Sequence, residues 1–169
     1  MGTVIMLSGP IGAGKTTVAR ELIAILPEPL SYIEGDTFWS FIKKTKAGDR
    51  RENFRIIMRA MTAATLPFAR SGYDVLLDFS IPPAFLNTAR VILKDVPLDY
   101  VLLRPSQAVC EARATGRAEG KIVDYTPYRD FYALFEGADR YTLQDDEAEA
   151  PIVASRIREA LGAGAFRVP

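Results

Sequence analysis

The chain contains no histidine among its 169 residues and only one cysteine, Cys110. Without histidine, the protein cannot use an imidazole as a general acid or base, and it cannot form a Ser-His-Asp triad or a histidine-ligated metal site. Chemistry near neutral pH must therefore use carboxylates, lysine, arginine, backbone groups or a bound metal. A lone cysteine excludes an intramolecular disulfide, and the helical apolar–polar pattern around Cys110 favours buried packing of its side chain.

Net charge and long apolar stretches are also lacking. Lysine and arginine together number 21, which equals the 21 aspartates and glutamates. This balance argues against a general nucleic-acid or membrane-surface binder. The sequence has no signal-peptide pattern and no apolar stretch long enough to span a bilayer. We therefore expect a cytoplasmic monomer or homodimer whose partner is a small molecule rather than a nucleic acid or a membrane.

Strand-like and helix-like segments alternate along the chain, which predicts an α/β fold with a parallel sheet between two layers of helices. The length suits a single domain over residues 1–169. The predicted strands are Thr3–Leu7, Ser31–Ile33, Asp74–Phe79, Asp99–Leu103 and Tyr141–Leu143. The predicted helices are Lys15–Leu26, Thr37–Lys44, Glu52–Arg70, Pro83–Lys94, Ser106–Arg117, Tyr128–Glu136 and Pro151–Leu161. Residues 162–169 are expected to fray.

The most informative segment is GPIGAGKTT, residues 9–17, which carries the pattern Gly-x-x-x-x-Gly-Lys-Thr between a predicted strand and a predicted helix. This context is typical of a phosphate-binding loop, whose amides and following helix N-terminus point at anionic oxygens. Lys15 suits the β- and γ-phosphates, and Thr16 suits Mg²⁺. The alternative is a Gly-rich turn with a solvated lysine. The predicted nucleotide-binding residues are Gly9, Pro10, Ile11, Gly12, Ala13, Gly14, Lys15, Thr16 and Thr17.

Asp36 follows the second predicted strand, so it is expected at the same carboxyl edge of the sheet as the phosphate-binding loop. A carboxylate there can accept a hydrogen bond from a substrate hydroxyl and act as its base. The alternative role is an N-cap for a helix that begins at Thr37, and the two roles can coexist. Glu34, two residues earlier, either orients water bound to Mg²⁺ or faces solvent.

Asp78 interrupts an apolar strand near its end, in the segment LLDF of residues 76–79. An uncompensated charge there would be costly, so a magnesium ion, its water shell or an arginine is expected to compensate it. We interpret Asp78, together with Thr16, as a metal ligand of the Walker-B type. The alternative is a strand-end residue that caps the next helix.

Arg113 and Arg117 lie four residues apart and so share one face of a predicted helix. They lead into a polar, Gly-containing stretch, and we predict a lid over approximately residues 113–127. Arginines on a closing lid would stabilise the transferring phosphoryl group, and the alternative is an ordinary solvated face.

Two further groups bear on the acceptor. Trp39 is a candidate for an apolar wall of the acceptor pocket, or else a core residue of the second helix. Arg55 and Arg59 follow a basic cluster that begins at Lys43. They would either attract an anionic acceptor or form a solvated basic surface.

Together, these segments resemble the small P-loop kinases, a group of AAA-type ATP-binding kinases. The group includes shikimate kinase-like, gluconate kinase-like, adenylylsulfate kinase-like and chloramphenicol phosphotransferase-like enzymes. The resemblance covers roughly residues 3–117 and is carried by GPIGAGKTT, Glu-Gly-Asp, LLDF, and LLRP with the two arginines. It implies a three-layer P-loop NTP hydrolase fold with a five-stranded parallel sheet, a short mobile lid, and the use of ATP and Mg²⁺. In the chloramphenicol phosphotransferase-like enzymes, the aspartate that matches Asp36 is taken as the base for the acceptor hydroxyl.

The leading hypothesis is therefore an ATP- and Mg²⁺-dependent phosphotransferase acting on a small-molecule hydroxyl, with Lys15, Asp36, Arg113 and Arg117 as catalytic residues. A kinase for a nucleotide or another phosphate-bearing acceptor is one alternative. A non-catalytic nucleotide-binding protein or ATPase is another. A GTPase is disfavoured, because the sequence has no Asn-Lys-x-Asp motif and carries Ile81 where a glycine would follow the strand-three aspartate.

Overall fold

The chain forms a three-layer α/β structure in the computed structural model, which describes residues 1–44, 50–116, 120 and 122–169. The strands are β1 (Val4–Ser8), β2 (Leu30–Glu34), β3 (Asp74–Asp78), β4 (Leu98–Leu103) and β5 (Thr142–Leu143). The α-helices are α1 (Lys15–Ile25), α2 (Arg50–Arg70), α3 (Leu86–Leu93), α4 (Gln107–Thr115), α5 (Thr126–Ala133) and α6 (Ala150–Gly162). Short 3₁₀ helices occupy Gly35–Phe41, Pro83–Phe85 and Asp139–Tyr141. None of the helices in these ranges is long and apolar enough to cross a membrane.

The described strands form one parallel sheet in the order β2-β3-β1-β4-β5. In this sheet, Leu7 of β1 pairs with Asp78 of β3 on one side and with Val101 of β4 on the other. Glu34, at the end of β2, pairs with Asp78 across the next ladder. Because the strands run in the same direction, their carboxyl ends meet at one edge, where open α/β sheets bind ligands.

Each face of the sheet carries its own hydrophobic cluster. The side chains of β1 alternate between the two clusters, with Met6 on one face and Ile5 on the other. Helix α2 packs on the first face through residues such as Met61, and α1 packs on the second through Leu22. Strands covered on both faces need apolar residues throughout, which explains the nearly continuous apolar runs in the sequence.

The predicted α-helix over Thr37–Lys44 is wrong, because a 3₁₀ helix over Gly35–Phe41 stands there instead. The chain turns directly at Gly35, where an added Cβ would lie 2.7 Å from the Phe79 side chain. Threonine, serine and aromatic residues in the following segment have modest helix propensity, which suits a short, tight helix better than a regular α-helix.

The C-terminal tail packs against β4, so the expectation that residues 162–169 fray is also wrong. Asp99 and Arg167 form an antiparallel bridge, and the Val168 amide donates a 2.9 Å hydrogen bond to the β4 backbone. The side chains of Phe166 and Val168 are buried. Arg167 also donates from Nε and Nη2 to the Asp99 carboxylate, at 2.8 and 3.2 Å.

We expect the substitution Arg167→Ala to lower the free energy of unfolding by about 1–3 kcal/mol, because it leaves a buried carboxylate without its partner. The Asp99 side chain is only 4% exposed, whereas that of Arg167 is 44% exposed, so the loss comes mainly from Asp99. Urea unfolding would measure the change. Arg158→Ala, an exposed arginine on α6, is the control. An equal effect of both substitutions would contradict a specific role for the Asp99–Arg167 pair.

Candidate functional site

The phosphate-binding loop connects the buried strand β1 to helix α1 at the centre of the sheet edge. Gly12 and Gly14 adopt positive φ angles of 87° and 89°, which only glycine adopts without strain. A Cβ at Gly12 would lie 2.1 Å from the carbonyl oxygen of Cys110, so the loop can approach α4 closely only with glycine at this position. No side chain caps the N-terminus of α1, and the N-terminus of a helix attracts anionic groups.

Lys15 begins α1 and folds its side chain back over the loop. Its Nζ donates to the carbonyl oxygens of Gly9 and Pro10, each at 3.2 Å. Its positive charge also acts on Asp78, where it opposes part of the rise in pKa that burial causes. The lysine charge therefore lies between the loop and the strand-end carboxylate, where a polyphosphate would need it.

Asp78 is a buried carboxylate that contacts the start of α1. The Thr16 hydroxyl donates to Asp78 Oδ2 at 2.8 Å, and the Tyr32 hydroxyl lies 3.5 Å from the same oxygen. Burial raises the pKa of the Asp78 carboxyl above its usual value, and Lys15 and Thr16 oppose part of that rise. Burial, and then the negative charge of Asp78, raise the pKa of the Tyr32 phenol as well.

The Thr16–Asp78 contact has the donor set that suits Mg²⁺. A hydroxyl oxygen and a carboxylate oxygen are hard ligands, and Mg²⁺ in nucleotide sites takes one or two protein oxygens and completes its shell with phosphates and water. Within the described residues, no group of three or more histidine, cysteine, aspartate and glutamate side chains is arranged to hold a metal. The residues present therefore fit a nucleotide-bound magnesium ion rather than an all-protein metal centre.

Asp36 lies on the 3₁₀ helix after β2, and its side chain is exposed. Both Asp36 and Glu34 raise the pKa of Asp78 through their charge, so the three carboxylates share one electrostatic environment. The helix starts at Gly35 with Glu34 at the N-cap position and no side-chain cap. The alternative interpretation of Asp36 as the N-cap of a helix beginning at Thr37 is therefore wrong.

Arg113 lies near the end of α4, beside the phosphate-binding loop. One guanidinium nitrogen is 3.7 Å from the position that a Cβ of Gly14 would occupy, and the other donates to the Asp146 carbonyl at 3.4 Å. Arg117, its predicted partner on the same helix face, lies outside the described residues.

The described parts of the predicted lid contact the loop and α4. The Tyr125 hydroxyl donates to the Ile11 carbonyl at 2.8 Å, and the Ile122 amide donates to the Ala114 carbonyl at 3.2 Å. Tyr125 is buried, so it joins this segment firmly to the phosphate-binding loop. Residues 117–119 and 121 of the predicted lid are outside the described ranges.

A cavity of about 370 Å³ opens beside the loop, on the β4 side of the sheet. Gly14, Thr17 and Val18 line it from the phosphate-binding loop and α1, and Arg113 lines it from α4. The segment after β5 forms much of the remaining wall. The other lining residues include Asp145, Glu147, Ala148, Glu149, Ala150, Leu103, Pro105, Leu143 and Val153.

The segment 145–149 is held in place by its own aspartates. The Asp145 carboxylate accepts the amides of Glu147 and Ala148 at 3.0 and 2.7 Å and pairs with Arg156 of α6 at 2.5 Å. The Asp146 carboxylate accepts the Ser106 amide at 2.6 Å. These backbone hydrogen bonds lower the pKa of both aspartates. The sequence analysis did not predict a role for Asp145 or Asp146, although an acidic pair soon after a short strand could have indicated one.

The sequence analysis also predicted no role for Ser8, whose hydrogen bonds fix the loop that follows β3. Its hydroxyl donates to the Ile81 carbonyl at 2.7 Å and accepts the Ile81 amide at 2.9 Å. The buried Tyr100 hydroxyl donates to the same carbonyl at 2.7 Å. Ser8, which directly precedes the phosphate-binding loop, therefore fixes the position of the backbone that follows Asp78. The sequence offered one indication of this role, which is a polar residue at the end of an apolar strand.

A protein-family model described as an AAA domain matches residues 4–126. The chain belongs to this AAA domain family. The resemblance to small P-loop kinases is confirmed, and so is the α/β fold with its five-stranded parallel sheet.

The proteins that this AAA domain resembles include kinases. An adenylyl-sulfate kinase of Chloroflexus aurantiacus is 29% identical over 143 residues, which cover 78% of this chain and 74% of that protein. A sugar kinase of Janibacter has a TM-score of 0.72 and 18% identity, with both chains fully covered. The APS kinase of Mycobacterium tuberculosis, solved with AMPPNP and APS, also has a TM-score of 0.72 and 18% identity, covering 95% of this chain and 98% of its own. At these identities, the solved structures support the fold.

We expect the substitution Asp78→Asn to stabilise the nucleotide-free AAA domain at neutral pH, raising its melting temperature by a few degrees, because it removes a buried charge. The folded-state pKa of Asp78 is raised. Asp78 therefore favours folding at acid pH, and this contribution is lost as the pH rises through the folded-state pKa. The gain from Asp78→Asn should thus be present at pH 7 and vanish as the pH falls below about 4, where aspartate becomes protonated in the unfolded chain as well.

Thermal unfolding at a series of pH values measures this difference. The exposed Asp95→Asn is the control and should show little effect at any pH. A lower melting temperature for Asp78→Asn at pH 7 would mean that its contacts with Thr16 and Lys15 outweigh the cost of burial.

Proposed function

We propose that this AAA domain is an ATP- and Mg²⁺-dependent kinase that transfers the γ-phosphoryl group to a hydroxyl of a small molecule. The observation that carries the proposal is one edge of the sheet that combines the phosphate-binding loop, the Thr16–Asp78 contact and the Asp36 carboxylate. Phosphoryl transfer depends mainly on positioning and electrostatics, so this edge contains the groups that the reaction requires.

The two ends of ATP would bind to different parts of this arrangement. The loop amides and Lys15 would hold the phosphates, and Thr16 and Asp78 would hold the magnesium ion. When bound, magnesium would neutralise charge on the β- and γ-phosphate oxygens. The cavity beside Gly14 is continuous with the loop, so it would take the nucleoside, with Arg113 against it.

Asp36 is the proposed base. Its exposed carboxylate would accept the proton of the acceptor hydroxyl while that oxygen forms its bond to the γ-phosphorus and ADP departs. Arg113 lies beside Gly14, where it would contact the phosphates that the loop holds and stabilise the transferring group. A catalytic role for Arg117 rests on the sequence alone.

A second candidate is a nucleotide-like acceptor that carries its own anionic group. The relative named adenylyl-sulfate kinase favours it, as do the arginines exposed on α2. In that case, Arg55 and Arg59 would bind the acceptor, and neutralising them would raise the KM for the acceptor alone. A non-catalytic nucleotide-binding protein or ATPase is the remaining alternative, in which hydrolysis would be slow and independent of any acceptor.

The central experiment is a screen for acceptor-dependent release of ADP from Mg-ATP. The panel comprises sugars, hydroxy acids, nucleosides, nucleotides, adenylyl sulfate and aromatic alcohols. Stimulation by one class supports a kinase and names its acceptor. Hydrolysis that no compound stimulates would contradict the proposal in favour of an ATPase.

We expect Asp36→Asn to lower kcat with the best acceptor by about 10²-fold or more, because the variant cannot accept the hydroxyl proton. Nucleotide affinity should change little, since Asp36 lies outside the loop. Glu34→Gln is the matched control, because it removes a neighbouring carboxylate of the same environment. Steady-state kinetics and nucleotide titration measure both quantities. A larger decrease in kcat for Glu34→Gln than for Asp36→Asn would indicate that Glu34 is the base instead of Asp36.

We expect Arg156→Ala to raise the KM for ATP by about two- to fivefold with little change in kcat, since an exposed ion pair contributes modestly. Arg156 holds the Asp145 side chain, which in turn shapes the wall of the proposed nucleoside pocket. Arg158→Ala on the same helix is the control. An unchanged KM in Arg156→Ala would argue that this wall does not contact the nucleotide.

A further inference from the structure

Residues 10–13 form a tight turn inside the phosphate-binding loop. The Ala13 amide donates to the Pro10 carbonyl at 3.2 Å, which places Ile11 and Gly12 at the two central positions of the turn. Gly12 has a φ of 87°, the positive value that a type II turn requires at its third residue. The peptide between Ile11 and Gly12 is therefore the central peptide of this turn.

The glycine at the third position leaves the orientation of the central peptide open. Type I and type II turns differ mainly in that orientation, and the type I form needs a negative φ at the third residue. Glycine adopts both signs of φ at little cost, so Gly12 by itself selects neither form. A larger residue cannot replace it, because a Cβ would lie 2.1 Å from the Cys110 carbonyl oxygen. The orientation of the peptide therefore depends on another contact.

The Tyr125 hydroxyl supplies that contact. It donates a 2.8 Å hydrogen bond to the Ile11 carbonyl, whose oxygen belongs to the central peptide. The N–H and C=O of a trans peptide point in opposite directions, so a carbonyl held towards Tyr125 directs the Gly12 amide away from it. Among the described residues, the Gly12 amide donates to no backbone carbonyl. An anion bound in the loop would accept a hydrogen bond from this amide.

The position of Tyr125 is itself well defined. Its side chain is 2% exposed and belongs to the hydrophobic cluster that also contains Ala13 and Cys110. It stands at the N-cap position of α5. Helix α5 is joined to the end of β4, since the Tyr132 hydroxyl donates to the Pro105 carbonyl at 2.8 Å. The hydroxyl that holds the turn is therefore carried by a packed ring on an anchored helix.

A buried tyrosine hydroxyl needs an acceptor wherever it lies, so the presence of a hydrogen bond does not by itself indicate a role. Tyr100 and Tyr132 also donate to carbonyls, at Ile81 and Pro105, and neither carbonyl belongs to the phosphate-binding turn. The acceptor of Tyr125 differs, because it is the central peptide of a turn that glycine leaves free to reverse.

From these contacts we infer that Tyr125 is a positioning residue for the phosphate-binding loop. Its hydroxyl holds the peptide between Ile11 and Gly12 in the orientation that presents the Gly12 amide to a bound polyphosphate. The reversed peptide would place the Ile11 carbonyl oxygen against the negative charge of the ligand. This inference rests on the nucleotide binding that the proposed function includes, but it depends neither on phosphoryl transfer nor on the acceptor.

The substitution Tyr125→Phe removes the hydroxyl and keeps the packed ring. We expect it to weaken the binding of Mg-ATP and of magnesium tripolyphosphate by the same factor, about three- to tenfold, which corresponds to the loss of one hydrogen bond. The affinity for adenosine, which has no phosphate, should not change. Calorimetric titration of the full-length protein measures the affinity for ATP, and competition against ATP gives the other two.

Tyr128→Phe is the matched control. The Tyr128 ring lies 5.8 Å from that of Tyr125, and its hydroxyl has no hydrogen-bond partner within the described residues. This variant should leave all three affinities unchanged. Unchanged polyphosphate binding in Tyr125→Phe would overturn the inference. An equal loss of affinity for adenosine would overturn it too, because it would indicate a general loosening of the fold.

A measurement on the unmodified protein tests the same peptide without any substitution. In ¹H–¹⁵N spectra, the Gly12 amide resonance should move downfield when magnesium tripolyphosphate saturates the loop, because a hydrogen bond to an anion deshields the amide proton. A Gly12 resonance that does not move would overturn the inference, even where Tyr125→Phe does not fold.

The outcomes separate this inference from the proposed function. Normal polyphosphate binding by Tyr125→Phe would overturn the role of Tyr125 and leave the kinase proposal intact. A selective loss of polyphosphate binding, together with a screen that finds no acceptor, would support the role of Tyr125 and overturn the kinase proposal. A protein that binds no polyphosphate would overturn both.

Discussion

The buried carboxylate of Asp78 is the constraint on which the site depends. It lies at the carboxyl end of a strand that is otherwise apolar, and its pKa is raised by burial. The folded chain can keep such a charge only with compensating groups nearby. Thr16 of α1 donates a hydrogen bond to it, and the positive charge of Lys15 acts on it. The same contacts bring the first turn of α1 to the end of β3. Because the groups that offset the free-energy cost of burying Asp78 lie at the start of α1, they also fix the position of the phosphate-binding loop relative to β3.

The strand order then separates two regions on either side of that loop. The cavity lies on the side of β4 and β5, among Gly14, Leu103 and Leu143. Asp36 lies on the other side of the loop, after β2. Since β1 runs between the two, a donor nucleotide and an acceptor would approach the loop from opposite directions.

Local patterns predicted a large part of this organisation. The loop at residues 9–17 was recognisable because a fixed glycine pattern stood between a strand and a helix. Asp36 and Asp78 were placed correctly at one edge because parallel strands share their carboxyl ends. Their roles in catalysis and metal binding stay predictions.

The features that the sequence did not predict depend on distant contacts. Three of these contacts join residues that are far apart in the chain. They are the hydrogen bonds between Ser8 and Ile81, the hydrogen bond from Tyr125 to Ile11, and the pairing of the C-terminal tail with β4. The 3₁₀ helix at Gly35–Phe41 was mistaken for a regular α-helix, because the close contact of Gly35 with Phe79 is a tertiary effect. Helical periodicity carries no information about such contacts.

The docked tail has a further consequence for the sheet. Along the outer edge of β4, β5 pairs with Leu102 and Leu103, and the tail pairs with the opposite end of the strand at Asp99. The outer edge of β4 is therefore covered, and the edge strand β5 has only two residues, which is too short to be a good template for a foreign strand. In the described part of the sheet, β2 is the other edge, and it is bounded by Pro29 at one end and by the charged Glu34 at the other. Proline and charge both discourage strand addition, so the sheet is protected from edge-to-edge aggregation in two different ways.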